Sequence, residues 1–110
     1  MYNKQQQFEV LTHYIQSTLK YAETIDHWKL YIIDTPQQQI QMQLLIESID
    51  FEYNRVEDIQ ATPNVIYKDW RPILKFDPYD TVITKFYKIN RQEVNLIMVN
   101  KILKGVEIYY

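Results

Sequence analysis

Apolar positions in the first twenty-two residues recur every three or four places. Phe8, Leu11, Ile15, Thr18, Leu19 and Ala22 fall on one side of a helix, so residues 4–22 are predicted to form an amphipathic α-helix. Asn3 stands where an N-cap belongs, with Gln6 three residues on in capping-box position. Thr24-Ile25-Asp26 ends the periodic run, and Trp28–Ile33, rich in aromatic and β-branched residues, reads as a strand. Asp34-Thr35-Pro36-Gln37-Gln38 then starts a second helix, with Thr35 as cap, Pro36 in the first turn and Gln38 completing a second box. Residues 40–49 fit two periods. Ile40, Met42, Leu44 and Ile46 alternate like a strand, whereas Met42, Leu45, Ile46 and Ile49 fit a helix. The cap decides for a helix over about 36–46.

Beyond residue 46 the pattern is that of strands. Residues 46–53 and 55–60 come first, then a break at Ala61-Thr62-Pro63-Asn64, then 65–68 and 73–76 separated by Pro72. Asp77-Pro78-Tyr79-Asp80 is a turn. Residues 81–89 and 94–99 are joined through Asn90-Arg91-Gln92, and a helical turn over 100–104 precedes a last strand at 106–109. Short sequential strands favour antiparallel pairing. The prediction is an α+β fold, one domain over 1–110, with two N-terminal helices on an antiparallel sheet of five to six strands.

One segment combines this alternation with charge. Glu47-Ser48-Ile49-Asp50-Phe51-Glu52-Tyr53-Asn54-Arg55-Val56-Glu57-Asp58 carries five carboxylates and one arginine. As a strand it would set Ile49, Phe51 and Tyr53 on one face and Asp50, Glu52 and Asn54 on the other. Acids on such a face would stand about 6 to 7 Å apart, roughly the phosphate spacing along one DNA strand. That arrangement suits a DNA mimic; a solvated strand face is the other reading.

Composition narrows the chemistry. A single glycine, Gly105, excludes glycine-rich phosphate cradles and leaves turns to Asn, Asp and Pro. The absence of cysteine removes disulfides, thiolate nucleophiles and zinc–cysteine sites, and suits a reducing cytoplasm. No apolar run reaches membrane-spanning length and the N-terminus has no signal-like core, so a cytoplasmic protein without a membrane partner is expected. His13 and His27 have no second ligand at helical spacing, and neither Ser17 nor Ser48 sits in a nucleophile elbow. No cofactor, metal site or enzymatic activity is expected. The net charge of −2 divides unevenly: nine acids and four bases in residues 1–63 against five acids and eight bases in 64–110. That balance argues against direct nucleic-acid binding by the whole domain. Ten tyrosines and the run Gln37-Gln38-Gln39-Ile40-Gln41-Met42-Gln43 supply material for a protein-recognition surface, or for an aromatic-rich sheet and a solvated helix.

The order of these elements resembles the uracil-DNA glycosylase inhibitors, small phage- and mobile-element-encoded DNA mimics that block a base-excision repair enzyme. The family pattern is a helix, a short strand bearing Glu-Ser-Ile, a proline-started acidic helix, and later a Tyr-Lys-Pro-Trp stretch entering a strand. Here Trp28–Ile33 stands for the first strand, Pro36 starts the helix, and Tyr67-Lys68-Asp69-Trp70 precedes Ile73–Phe76. The resemblance spans most of residues 5–90 on short motifs. In this register Glu-Ser-Ile falls on Leu30-Tyr31-Ile32, and the helix acids become Gln37, Gln38 and Gln41. A literal Glu47-Ser48-Ile49 also occurs; aligning on it makes Val56-Glu57-Asp58-Ile59 the counterpart of the acidic helix and leaves 28–46 without an equivalent. In the family, the second helix and the sheet form an apolar pocket that takes a leucine of the enzyme, a role the resemblance gives to Ile40 and Leu44. The expected partner-binding residues are therefore Tyr31, Ile32, Asp34, Gln37, Gln38, Ile40, Gln41 and Leu44, with the acids Glu47, Asp50, Glu52, Glu57 and Asp58. The implied function is inhibition of uracil-DNA glycosylase without contact to DNA. The alternatives are a small Sm-like β-barrel that binds nucleic acid through Lys85, Lys88, Arg91, Lys101 and Lys104, or a non-catalytic interaction subunit.

Overall fold

A computed structural model describes residues 3–58, 70–77 and 79–109, with the backbone alone for Glu57, Asp58 and Arg71. Helix α1 (Lys4–Thr18) begins as its sequence predicts. The Asn3 side chain accepts a hydrogen bond from the Gln6 amide at 2.8 Å, and the Gln6 side chain accepts one from the Asn3 amide at 3.0 Å. Phe8, Leu11 and Ile15 are buried along one side. The helix ends at Thr18, four residues short of the prediction, and Lys20–Ile25 becomes strand β1. Strand β1 pairs with β2 (Trp28–Ile32) across Asp26-His27, both with positive φ (49° and 72°). Tyr21, Thr24 and Ile25 favour a pleated surface, and pairing them satisfies backbone groups along one side of β2. Leu19, buried at the end of the helix, sits at the switch.

Helix α2 (Pro36–Glu47) starts at the Thr35 capping box. The expected strand over 46–53 does not form. Helix α2 runs to Glu47, residues 48–52 form a connection, and β3 (Tyr53–Asp58) merges parts of two predicted strands. The helical reading wins because Met42, Ile46 and Ile49 then reach the same core, where they are buried. A strand would have placed Ile49 on the opposite face from Met42 and Ile46. Residues 73–76 also depart from expectation. The Trp70 carbonyl accepts hydrogen bonds from the amides of Ile73 (3.1 Å) and Leu74 (2.9 Å), closing the short helix α3 (Arg71–Leu74) with Pro72 in its first turn. The predicted strand 65–68 and the motif residues 67–69 lie outside the described residues.

Strands β4 (Val82–Ile89), β5 (Gln92–Val99) and β6 (Ile102–Tyr109) form a meander. Its turns are Asn90-Arg91 (φ 50° and 66°) and Asn100-Lys101 (φ 51° and 68°), so the expected helical turn over 100–104 is a two-residue hairpin instead. Positive φ at both central residues is the type I′ conformation that matches strand twist, and Asn tolerates it without glycine. All pairings are antiparallel in the order β1-β2-β6-β5-β4-β3. The molecule is α+β: two N-terminal helices on an open six-stranded antiparallel sheet. Among the described residues the two edges, β1 and β3, do not pair, so the sheet is open and not a closed barrel.

Each face of the sheet carries its own core. The helices cover Tyr31, Ile89, Val94, Leu96, Val106 and Ile108 on one side. On the other side Trp70 and Phe76 pack with Trp28, Leu30, Val82, Ile97 and Val99. Gly105 seats this second layer, because a Cβ there would stand 3.1 Å from Leu74 Cδ1 and 3.3 Å from Leu30 Cδ1. Within the layer the buried Glu107 carboxylate accepts a hydrogen bond from the Trp70 indole and another from Asn95 Nδ2 at 2.8 Å. A buried carboxyl group needs such partners, and the indole hydrogen bond fastens Trp70 to the sheet. No helix among the described residues is long and apolar enough to cross a membrane.

Candidate protein-binding surface

Helix α2 has apolar residues on two sides, and only one side faces the core. Met42 and Ile46, four apart, are buried against the sheet. Ile40 and Leu44, also four apart, remain 58% and 55% exposed. Residues 37, 40, 41, 44 and 47 recur at i, i+3, i+4, i+7 and i+10, so they share one stripe of the helix. Gln37, Gln41 and Glu47 on it are exposed as well. The result is a solvent-facing apolar pair, one turn apart, bordered by two amides and ending in one carboxylate. Singly exposed aliphatics are ordinary on protein surfaces; an adjacent pair on a capped helix is the form in which a helix presents anchors to a groove.

The remaining sequence candidates fall elsewhere. Tyr31 is buried in the helix-side core, edge-on to Tyr21 at 5.8 Å, so its ring is withdrawn from any partner. Ile32 is half-buried at the end of β2, and Asp34 is exposed ahead of α2. Gln38 is consumed internally. Its Oε1 accepts from the amides of Asp34 (2.9 Å) and Thr35 (3.2 Å), and its Nε2 donates to the Thr18 carbonyl at 3.3 Å.

The acidic ladder expected on a strand does not form. Asp50 and Glu52 lie in the connection before β3, off any strand face. The Asp50 amide donates to Gln7 Oε1 at 3.1 Å. Glu52 is paired with Lys4 at 3.1 Å, between side chains that are each nearly half exposed. The hydrogen bond from Lys4, with one from the Asn90 backbone, holds the Glu52 carboxyl below its ordinary pKa of 4.5. Glu57 and Asp58 belong to β3, in register with Thr84 and Ile83; their side chains lie outside the description. Of the acids, Glu47 alone joins the α2 stripe. Its charge adds to the effect of burial in raising the Tyr87 phenol above 10.0.

The basic residues of the C-terminal half are dispersed. Lys85 and Lys88 are three apart on β4 and so point to opposite faces. Arg91 and Lys101 occupy turns at opposite ends of the eight-residue β5, roughly 27 Å apart at strand rise. They do not make one face for a nucleic-acid backbone. No group of three His, Cys, Asp or Glu side chains among the described residues could hold a metal ion. A cleft of about 410 Å³ lies between α1 and the β4–β5 turn, lined by Phe8, Glu9, Arg91 and Tyr109 among others; Arg91 of the basic set lines it, and none of the expected partner-binding residues does.

Sequence reasoning did not single out Glu107, whose partners Trp70 and Asn95 are 37 and 12 residues away in the chain. An acid between the core residues Val106 and Ile108 was the available signal. Comparison of the chain with protein-family models, with curated proteins and with solved structures finds no match.

Proposed function

We propose that this chain is a non-catalytic inhibitor that docks on another protein through the outward stripe of α2, and that its target is uracil-DNA glycosylase. The observation that carries the docking surface is the exposure of Ile40 and Leu44 side by side on a helix capped at its start. The choice of target rests on the resemblance in element order read from the sequence, with the strand pair β1 and β2 standing between the helices where that pattern has one strand. Packing, more than charge, drives recognition in this reading. The stripe holds two aliphatic side chains and two neutral amides against one acid, and the acids at 50 and 52 form no strand ladder. Gln37 and Gln41 take the place of charged acceptors and hydrogen-bond donors on the partner at about 0.5–1.5 kcal/mol each. The inhibitor acts in the cytoplasm and does not touch DNA.

The test is a glycosylase assay on uracil-containing DNA with the purified chain in molar excess. Uracil release should stop, and the chain alone should not shift the DNA in a gel. Full excision at micromolar chain would overturn the reading.

A further inference from the structure

Helix α2 is tied to α1 at both ends, each time through a glutamine side chain and a backbone group. At its start, Gln38 Nε2 donates to the Thr18 carbonyl, the last residue of α1, at 3.3 Å. Just past its end, the Asp50 amide donates to Gln7 Oε1, in the first turn of α1, at 3.1 Å. The two helices therefore run antiparallel. The ties are separated by eleven residues on α1, about 16 Å at helical rise. On the α2 side they are separated by twelve residues, from Gln38 to Asp50, of which the first ten are helical. Sliding α2 by one residue, about 1.5 Å, would stretch or misalign both hydrogen bonds at once. The ion pair from Lys4 to Glu52 sits at the same end as the Gln7 tie but is exposed and screened by salt. Against the sheet, α2 buries Met42 and Ile46, apolar contacts without directional preference.

We infer that Gln7 and Gln38 are positioning residues that fix the axial register of α2 against α1 and so set where Ile40 and Leu44 stand on the surface. This rests on the proposed use of the α2 stripe for its functional consequence, and on the hydrogen bonds alone for its structural one. Gln38 has two separable jobs. Its oxygen caps α2, while its amide nitrogen reaches α1. Gln38→Glu keeps the oxygen acceptors, and its charge suits a helix N-terminus, yet it removes the donor to Thr18. Gln7→Met keeps side-chain length and removes the acceptor for Asp50.

The experiment uses full-length chain carrying Q38E, Q7M or both, with two readouts. Inter-proton dipolar couplings, read as NOEs between α1 and α2 and measured without any partner, report the register of α2 relative to α1. Inhibition of uracil-DNA glycosylase reports the surface. The double variant should keep a cooperative melting transition, change the α2 couplings while those of the sheet stay put, and weaken inhibition roughly 5- to 150-fold, as expected for two lost hydrogen bonds. Q38E alone should weaken inhibition without lowering helix stability, which loss of a merely structural cap would not do. Unchanged α2 couplings in the folded double variant would overturn the inference, whatever the enzyme does. Changed couplings with undiminished inhibition would overturn the link between register and recognition. If the unaltered chain inhibits nothing but the couplings still shift, the register role stands and the proposed target falls.

Discussion

Leu44→Asp separates the role of the α2 stripe in folding from its proposed role in recognition. Leu44 is 55% exposed, so a little under half of its side chain already packs on the molecule. Losing that contact forfeits about 0.7–1.4 kcal/mol of fold stability. Aspartate in a helix interior adds about 0.5 kcal/mol, and its charge near the negative end of α2, one turn before Glu47, adds a few tenths more. The fold should therefore lose roughly 1–2 kcal/mol, a fall in Tm of about 5–12 °C for a domain of this size. Recognition should lose more. The exposed half of Leu44 contributes about 0.8–1.7 kcal/mol when a partner covers it. A carboxylate dried in its place without a counter-charge costs several kcal/mol beyond that. Together these exceed about 3 kcal/mol, a weakening of 100-fold or more. Leu44→Ala, which loses area without adding charge, should weaken binding only about 3- to 20-fold. The assay is a titration of uracil-DNA glycosylase at 25 °C, with each variant first shown by its melting curve to be folded. An aspartate variant that is folded and inhibits within threefold of the parent would refute the reasoning, and the acids between Glu47 and Asp58 would become the better candidates.

Inhibition should persist in salt that strips DNA from the enzyme, since an apolar surface with neutral amides releases few counterions; collapse of inhibition in moderate salt would show that charge leads. Trp70→Phe should lower the urea midpoint by the equivalent of about 1–3 kcal/mol, because the buried Glu107 carboxylate loses its indole donor; an unchanged midpoint would show that this hydrogen bond is dispensable. Glu52 gives a pH prediction with a definite sign. Its folded pKa is depressed, so the contribution of the Lys4 pair is present above the ordinary value of 4.5 and is lost as pH falls through the folded value. Lys4→Ala should move the Glu52 titration, followed by carboxyl-carbon NMR, back up toward that ordinary value.

Local signals are plain in the sequence where a few adjacent residues suffice. Both capping boxes can be read from Asn3–Gln6 and Thr35–Gln38, since each is complete within four residues. The alternation of Thr81–Ile89 and Val94–Val99 marks the central strands to within a residue or two. Boundaries fail where two periods overlap. Ala22 continues the helical spacing of α1 by chance, so the start of β1 is hidden until β2 supplies a partner for it. From Ile40 to Ile49 the residues satisfy a strand and a helix at once, and continuing the alternation through Ile49, Phe51 and Tyr53 produces an acidic ladder that the helix end dissolves. The candidate surface is half legible. Ile40 and Leu44 stand out as a pair one turn apart, but Met42 and Ile46 have the same spacing on another side of α2. Which pair faces the core depends on where the sheet lies, a property of the whole fold. The resemblance gives Gln38 to a partner because it sits where the family carries acids; the backbone of Asp34, Thr35 and Thr18 claims it instead.

The most direct test of recognition through α2 is an NMR footprint of the isotope-labelled chain with unlabelled uracil-DNA glycosylase. The account predicts attenuation or shift of the Gln37, Ile40, Gln41, Leu44 and Glu47 signals at one-to-one stoichiometry, with the Glu9, Arg91 and Tyr109 signals around the cleft unmoved and no response to duplex DNA alone. A footprint centred away from α2, or no footprint at saturating enzyme, would contradict it.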